Sequence, residues 1–147
     1  MSNLRFRYPL MLMALIILAS AAWAGLLRLG WNWSVLQPTL PISHGPLMVA
    51  GFFSTLIALE RAVAMGKVWA YGSPLLSGIG GLLVALGLGG QVGPVLMTLG
   101  SAWLVLIFGA ILRKHRAGYM LVMALGAVTL LIGNLLWLFG MPIFQLV

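Results

Sequence analysis

Five long apolar segments, separated by short polar connections, dominate the pattern of hydrophobic and polar positions along the chain. Each segment has about 20 residues, the length that an α-helix needs to cross the hydrocarbon core of a bilayer. Because a spanning segment must satisfy its own backbone hydrogen bonds, we predict that all five are helices. The predicted spans are residues 9–30, 44–65, 73–90, 92–112 and 117–140.

The third and fifth segments carry conspicuous glycines. The third, SPLLSGIGGLLVALGLGG, is flanked by Pro74 and Pro94, so the pattern leaves open whether it crosses the whole bilayer. In the fifth, Gly126, Gly133 and Gly140 recur every seven residues and mark one face of the helix. We interpret these glycines as helix-packing surfaces, with room for a flat ligand between helices as the alternative.

The amino-acid composition indicates the class of protein to which these helices belong. Of the 147 residues, 63% are hydrophobic and 6% are charged, far below the charged fraction of about 25% that is usual in soluble domains. We therefore predict an all-α integral membrane protein in which residues 1–147 form a single transmembrane domain. The absence of cysteine excludes disulfides, thiolate nucleophiles, iron–sulfur clusters and Cys-ligated zinc from this sequence.

The basic residues predict how the chain is oriented. An N-terminus in the cytoplasm and a C-terminus outside agree with the positive-inside rule for seven of the eight basic residues, all except Arg28. The expected location is the bacterial inner membrane, as a multi-pass protein. We interpret the net charge of +7 as topology and contact with anionic lipid, so no nucleic-acid partner is expected. The seven inner residues are Arg5, Arg7, Arg61, Lys67, Arg113, Lys114 and Arg116.

His44 begins the second span and lies at the outer end of the bilayer in this topology. Met48, Gly51 and Thr55 follow at helical spacing and give one small, mildly polar face. Imidazole is a common metal and haem ligand, and an ionisable group inside a membrane is a candidate functional site. The alternative interpretation is an interfacial cap, hydrogen-bonded to water or to a loop carbonyl.

Two further polar residues are expected at the same depth. Arg28, near the outer end of the first span, is a candidate partner for an anion such as a lipid phosphate or a haem propionate. Asn134, near the outer end of the fifth span, is expected to form a hydrogen bond between helices. With His44 and Met48, these residues form the candidate cofactor site, and His44 is the candidate metal ligand.

Glu60 is the single acidic residue, and Arg61 follows it directly. Both lie at the inner end of the second span, where we expect a local ion pair. A bridge from Glu60 to Arg113 or Arg116, linking the second and fourth spans, is one alternative. A proton-relay carboxylate is another, although the chain offers no second acidic group to receive the proton.

Two blocks of the sequence carry a family resemblance. HGPLMVAGFFSTLIALERAVAMGKVWAY, residues 44–71, and VMALGAVTLLIGNLLWLFGMPIFQ, residues 122–145, resemble bacterial polytopic membrane proteins that look like the NnrS family. The first block is also similar, more distantly, to the second helix of subunit I of haem-copper oxidases, which carries a His-Gly ligand motif. The resemblance implies that His44 is an axial haem ligand. Because the chain has two histidines, fewer than a haem-copper centre needs, no oxygen reduction by this chain alone is expected.

Three functions remain open at this point. The first is binding of haem b near the outer leaflet through His44, for electron transfer, haem handling or haem sensing. The second is a non-catalytic structural or assembly subunit of a larger membrane complex, with other membrane subunits or further copies of the chain as partners. The third is a copper site formed by His44 and Met48. None of the three makes the chain an enzyme on its own.

Overall fold

The computed structural model of the chain describes residues 4–35, 37–115 and 117–141, with side chains from residue 7 onward. In this part of the chain, every element is a helix. The long helices are α1 (Leu4–Arg28), α3 (Ser54–Met65), α4 (Gly72–Leu86), α5 (Val92–Lys114) and α6 (Gly118–Leu138). A short helix α2 (His44–Pro46) and a π-helix (Leu47–Phe53), here called the π-segment, precede α3.

Five helical segments of the described residues are long and apolar enough to cross a membrane, which confirms the predicted number of spans. The third segment, Val68–Leu86, reaches spanning length because the 3-10 turn Val68–Tyr71 leads directly into α4. The other four segments are Arg7–Arg28, Pro41–Met65, Val92–Lys114 and Gly118–Leu138.

The second span is not a uniform α-helix. It begins with the 3-10 turn Pro41–Ser43, continues through α2, widens into the π-segment and returns to α-helix at Ser54. Pro46 lies at the start of the wide region and has no N–H to donate to the preceding turn. Because π-turns are rare and frequently occur at functional sites, the half of this span that begins at Pro41 is distinguished from the rest of the bundle.

The spans run up and down. Leu10 near the start of α1 packs in one cluster with Leu59 and Ile107, while Ala21 near its end packs with Leu47 and Ala85. The described basic residues consequently divide between the two ends of the bundle. One end holds Arg7, Arg61, Lys67, Arg113 and Lys114, and the other end holds Arg28.

The α4–α5 contact rests on small residues. A Cβ atom on Gly80 would lie 2.7 Å from the carbonyl oxygen of Gly93, so the two backbones approach as closely as glycine allows. Ser73 Oγ donates a 2.8 Å hydrogen bond to the carbonyl oxygen of Gly100 across the same contact. In lipid, close backbone packing and such hydrogen bonds replace the hydrophobic drive. Gly80 and Gly81 therefore form part of a packing surface, as predicted, whereas Gly87, Gly89 and Gly90 lie beyond the end of α4 with positive φ angles, and the prediction was wrong for them.

The glycines of the fifth span behave differently. The buried residues of α6 are Met120, Ala127 and Asn134, which also recur every seven residues. This buried stripe lies one residue, about 100° around the helix, from Gly126 and Gly133. A Cβ atom on either glycine would have no neighbouring atom within 4 Å. The packing face predicted for α6 is thus displaced by one residue, because Asn134 and the two apolar side chains face the bundle.

Candidate functional site

His44 is held against α1 by shape. Its half-buried imidazole ring lies over Gly25, where an added Cβ atom would be 2.9 Å from both Nδ1 and Cε1. Real Cβ atoms essentially never approach so closely, so the ring occupies a notch that glycine leaves in α1. The notch continues the small-residue face of α1 formed by Ala21 and Ala24, which are fully buried.

The hydrogen bond of the ring defines its chemistry. His44 Nδ1 lies 2.8 Å from the carbonyl oxygen of Ala21. Because a carbonyl oxygen only accepts, we assign the proton of this bond to Nδ1, and in the neutral ring Nε2 then carries the lone pair. Among the described residues, no hydrogen-bond partner of Nε2 is present. A bond from one ring nitrogen to a backbone carbonyl is the usual way in which a protein orients a ligating histidine.

Met48 follows one turn after His44, within the π-segment. Its half-buried side chain packs against the cluster that includes Ile17, Ala21 and Leu47. Met48 therefore fills space between the second span and α1, on the same helix as His44. Its surroundings are those of a packing residue, and the predicted role as a cofactor contact stays a prediction.

Arg28 is the last residue of α1 and its side chain is exposed. It lies three residues beyond Gly25, hence on a neighbouring part of the same helix face and nearer to the end of the bundle. A cation in the last turn is favourable with respect to the helix dipole. The side chain is free to approach an anion at the membrane surface, which is the role predicted for it.

Asn134 forms the hydrogen bond between helices that was expected. The side chain is 4% exposed, and its Nδ2 donates to Ser101 Oγ at 3.1 Å and, more weakly, toward the carbonyl oxygen of Met97 at 3.5 Å. These partners lie on α5, whereas the partner of His44 lies on α1. The structure therefore brings His44, Met48 and Gly25 together but places Asn134 at a different helix contact.

The predicted local ion pair between Glu60 and Arg61 is confirmed. Arg61 Nη2 donates to Glu60 Oε1, with the Arg61 side chain 17% exposed and that of Glu60 65% exposed. No bridge from Glu60 to Arg113 occurs within the described residues, and the other predicted partner, Arg116, lies outside them. Glu60 thus faces outward from the helices, and its ion pair does not link two spans.

Metal-ligating clusters and grooves are the remaining places where a site could lie. Among the described residues, no group of three or more His, Cys, Asp or Glu side chains is arranged to hold a metal ion. Four of the grooves on this part of the chain are lined by residues other than His44. Sequence reasoning missed the π-segment, for which the Gly45–Pro46 pair was the available signal of an irregular turn. The groove beside the π-segment is lined by Gly126 and Gly133, where room for a flat ligand was the alternative interpretation.

Comparison with protein families gives a match over nearly the whole chain. Residues 7–147 match the family described as Domain of unknown function (DUF8744). The chain belongs to this family. No curated protein and no solved structure matches the chain. The resemblance to NnrS-like proteins and to haem-copper oxidases consequently stays a prediction.

Proposed function

We propose that this member of the DUF8744 family binds haem b through His44 Nε2, close to the periplasmic surface of the bacterial inner membrane. The observation that supports the proposal is the 2.8 Å bond between His44 Nδ1 and the Ala21 carbonyl oxygen. This bond fixes the ring orientation and the tautomer, and it leaves the lone pair of Nε2 available to iron.

The donor set offers one ligand for the iron of a haem. His115 lies at the opposite end of the bundle, just after α5, and Met48 is on the same helix as His44. Among the described residues His44 would therefore hold the haem, and a further ligand would come from a partner subunit or from a second copy of the chain. Bound haem would supply one-electron chemistry, and exposed Arg28 would hold a propionate.

Absorption spectroscopy tests the proposal. The protein is purified in detergent from haem-replete membranes, and the Soret band is compared among wild type, His44→Asn and His115→Ala. Asparagine retains an N–H that can donate to Ala21, but it removes Nε2, so loss of the ligand is separated from loss of the helix contact. We expect wild type and His115→Ala to retain the band and His44→Asn to lose it.

Two results would overturn the proposal. One is a folded wild-type protein that shows no Soret band after purification and after titration with haemin. The other is a His44→Asn protein whose band is as intense as that of wild type. Circular dichroism and size-exclusion chromatography verify that each preparation is folded before its spectrum is interpreted.

A further inference from the structure

A long furrow separates the second span from α6. It consists of two adjoining grooves of about 540 and 300 Å³, which share Val49, Gly126 and Leu130 in their linings. On the α6 side the furrow extends from Trp137 to Met123, which corresponds to about 21 Å along a helix. Because both walls are membrane-spanning helices, the furrow opens toward lipid.

The furrow is wide because its walls lack side chains at the decisive positions. Gly133 and Gly126 line it from α6, where an added Cβ atom would find no neighbour within 4 Å, and Gly45 lines it from α2. By contrast, Gly80 and Gly93 are in tight backbone contact in the α4–α5 packing surface. The glycines of the furrow therefore leave an open slot, whereas Gly80 and Gly93 bring two helices together.

Asn134 contributes a hydrogen-bond acceptor to the slot. Ser101 Oγ donates to the carbonyl oxygen of Thr98 at 2.7 Å, so it accepts the proton of Asn134 Nδ2. This order assigns Oδ1 as the remaining polar atom of Asn134, a residue that lines the furrow. No described donor reaches that Oδ1, and the nearby Thr129 hydroxyl already donates to Leu125. An acceptor without a donor is costly in an apolar medium.

We propose that the furrow binds a lipophilic hydroquinone: a flat ring whose hydroxyl donates to Asn134 Oδ1, with an apolar tail along the furrow. The ring lies between the glycine walls beside Trp137, whose indole offers a stacking surface. The tail follows the apolar groove of about 300 Å³ past Phe53 and Phe108. A volume of about 300–1,000 Å³ is typical of small-molecule sites, and the groove of about 540 Å³ that holds the ring lies within this range.

A protein helix is a poorer occupant. A helix segment about 10 Å across and as long as the furrow occupies on the order of 1,600 Å³, so it would lie over the furrow and not enter it. Asn134 is only 4% exposed and would be out of its reach. A lipid acyl chain enters the furrow but offers no donor at this depth. The proposal is independent of the haem proposal, because His44 does not line the furrow.

Ligand titration tests the inference. The purified protein, reconstituted in quinone-free phosphatidylcholine nanodiscs, is titrated with a decyl-chain hydroquinone under reducing conditions, and quenching of tryptophan fluorescence is followed. We expect saturable binding, a diminished signal in Trp137→Phe, and about tenfold weaker binding of the dimethyl ether of the same molecule. The ether keeps the ring and the tail but loses the donor, so the comparison isolates the hydrogen bond that the ligand hydroxyl donates.

Matched glycine variants locate the site. Gly126→Leu fills the furrow and should abolish saturable binding, while Gly109→Leu should bind as wild type does. Both glycines have no atom within 4 Å of an added Cβ, and Gly109 on α5 lies outside the furrow. Equal affinity for hydroquinone and ether, or equal effects of the two variants, would overturn the proposal. The proposal would also be overturned if the protein bound no hydroquinone and formed a dimer that Gly126→Leu disrupts. A second copy of the chain would then occupy this face.

Discussion

The contact between His44 and Gly25 predicts that Gly25→Ala destabilises the protein, although helix propensity alone predicts the opposite. Glycine-to-alanine changes within a helix are favourable by up to about 1 kcal/mol when nothing else intervenes. In Gly25→Ala, the new methyl carbon would start 2.9 Å from ring atoms, whereas ordinary contact begins at 3.4 Å. The imidazole must therefore move by at least about 0.5 Å, away from its 2.8 Å bond to Ala21.

The magnitude follows from the two interactions that are disturbed. A net hydrogen bond contributes about 1 kcal/mol, and overpacking in a filled contact costs about 1–3 kcal/mol. After the gain in helix propensity, we expect Gly25→Ala to lower the free energy of unfolding by about 1–3 kcal/mol. Titration with SDS in mixed micelles, followed by circular dichroism, measures this change. Side-chain ¹⁵N NMR of His44 should show loss of the single tautomer.

A double-mutant cycle distinguishes the ring contact from a backbone effect. In the His44→Ala background the methyl group has no ring to meet, so Gly25→Ala should become neutral or stabilising. Gly126→Ala, at a position with open space, is the matched control in the wild-type background. Gly25→Ala with wild-type stability and an unchanged His44 ¹⁵N spectrum would refute the notch that we describe.

Three further outcomes are expected. Gly80→Ala should lower thermal stability in detergent more than Gly25→Ala does, because the methyl would meet the Gly93 carbonyl oxygen at 2.7 Å and backbone cannot turn aside; equal stabilities would contradict this. Asn134→Leu should destabilise the protein by about 0.5–2 kcal/mol in the same assay, and much less in a Ser101→Ala background, since the hydrogen bond between them is then already absent. Reporter fusions at His115 should report the cytoplasm and fusions at Gln37 the periplasm, and the reverse result would move His44 to the other membrane surface.

The spans were predictable from the sequence because they follow from one requirement, the length and apolarity needed to cross a bilayer. The predicted second span began at His44, whereas the structure begins it at Pro41, because a 3-10 turn extends the helix at its N-terminal end. The third span was left open, and Val68–Tyr71 completes it in a geometry that hydrophobic spacing does not reveal. The pattern thus predicts where a helix is, and only approximately how it begins.

The candidate site was less predictable because it depends on which helix faces which. His44 was identified by type and position, but its partner, Ala21, is a backbone carbonyl that any residue would supply. The heptad of glycines on α6 was assigned to packing, although the adjacent heptad through Ala127 and Asn134 faces the bundle. Both stripes repeat every seven residues, so the sequence pattern does not show which of the two faces the bundle.

The π-segment gives the second span an angular offset. Each residue added to or removed from a helix turns everything beyond it by about 100°, and a wide turn accommodates such a residue without breaking the rod. Loss of one residue between Leu47 and Phe53 would swing the His44 ring away from α1 and carry the Gly45 wall out of the furrow. The π-segment therefore sets the direction of both the His44 ring and the Gly45 wall of the furrow. For these two directions, the number of residues in the segment matters more than the identity of most of its side chains.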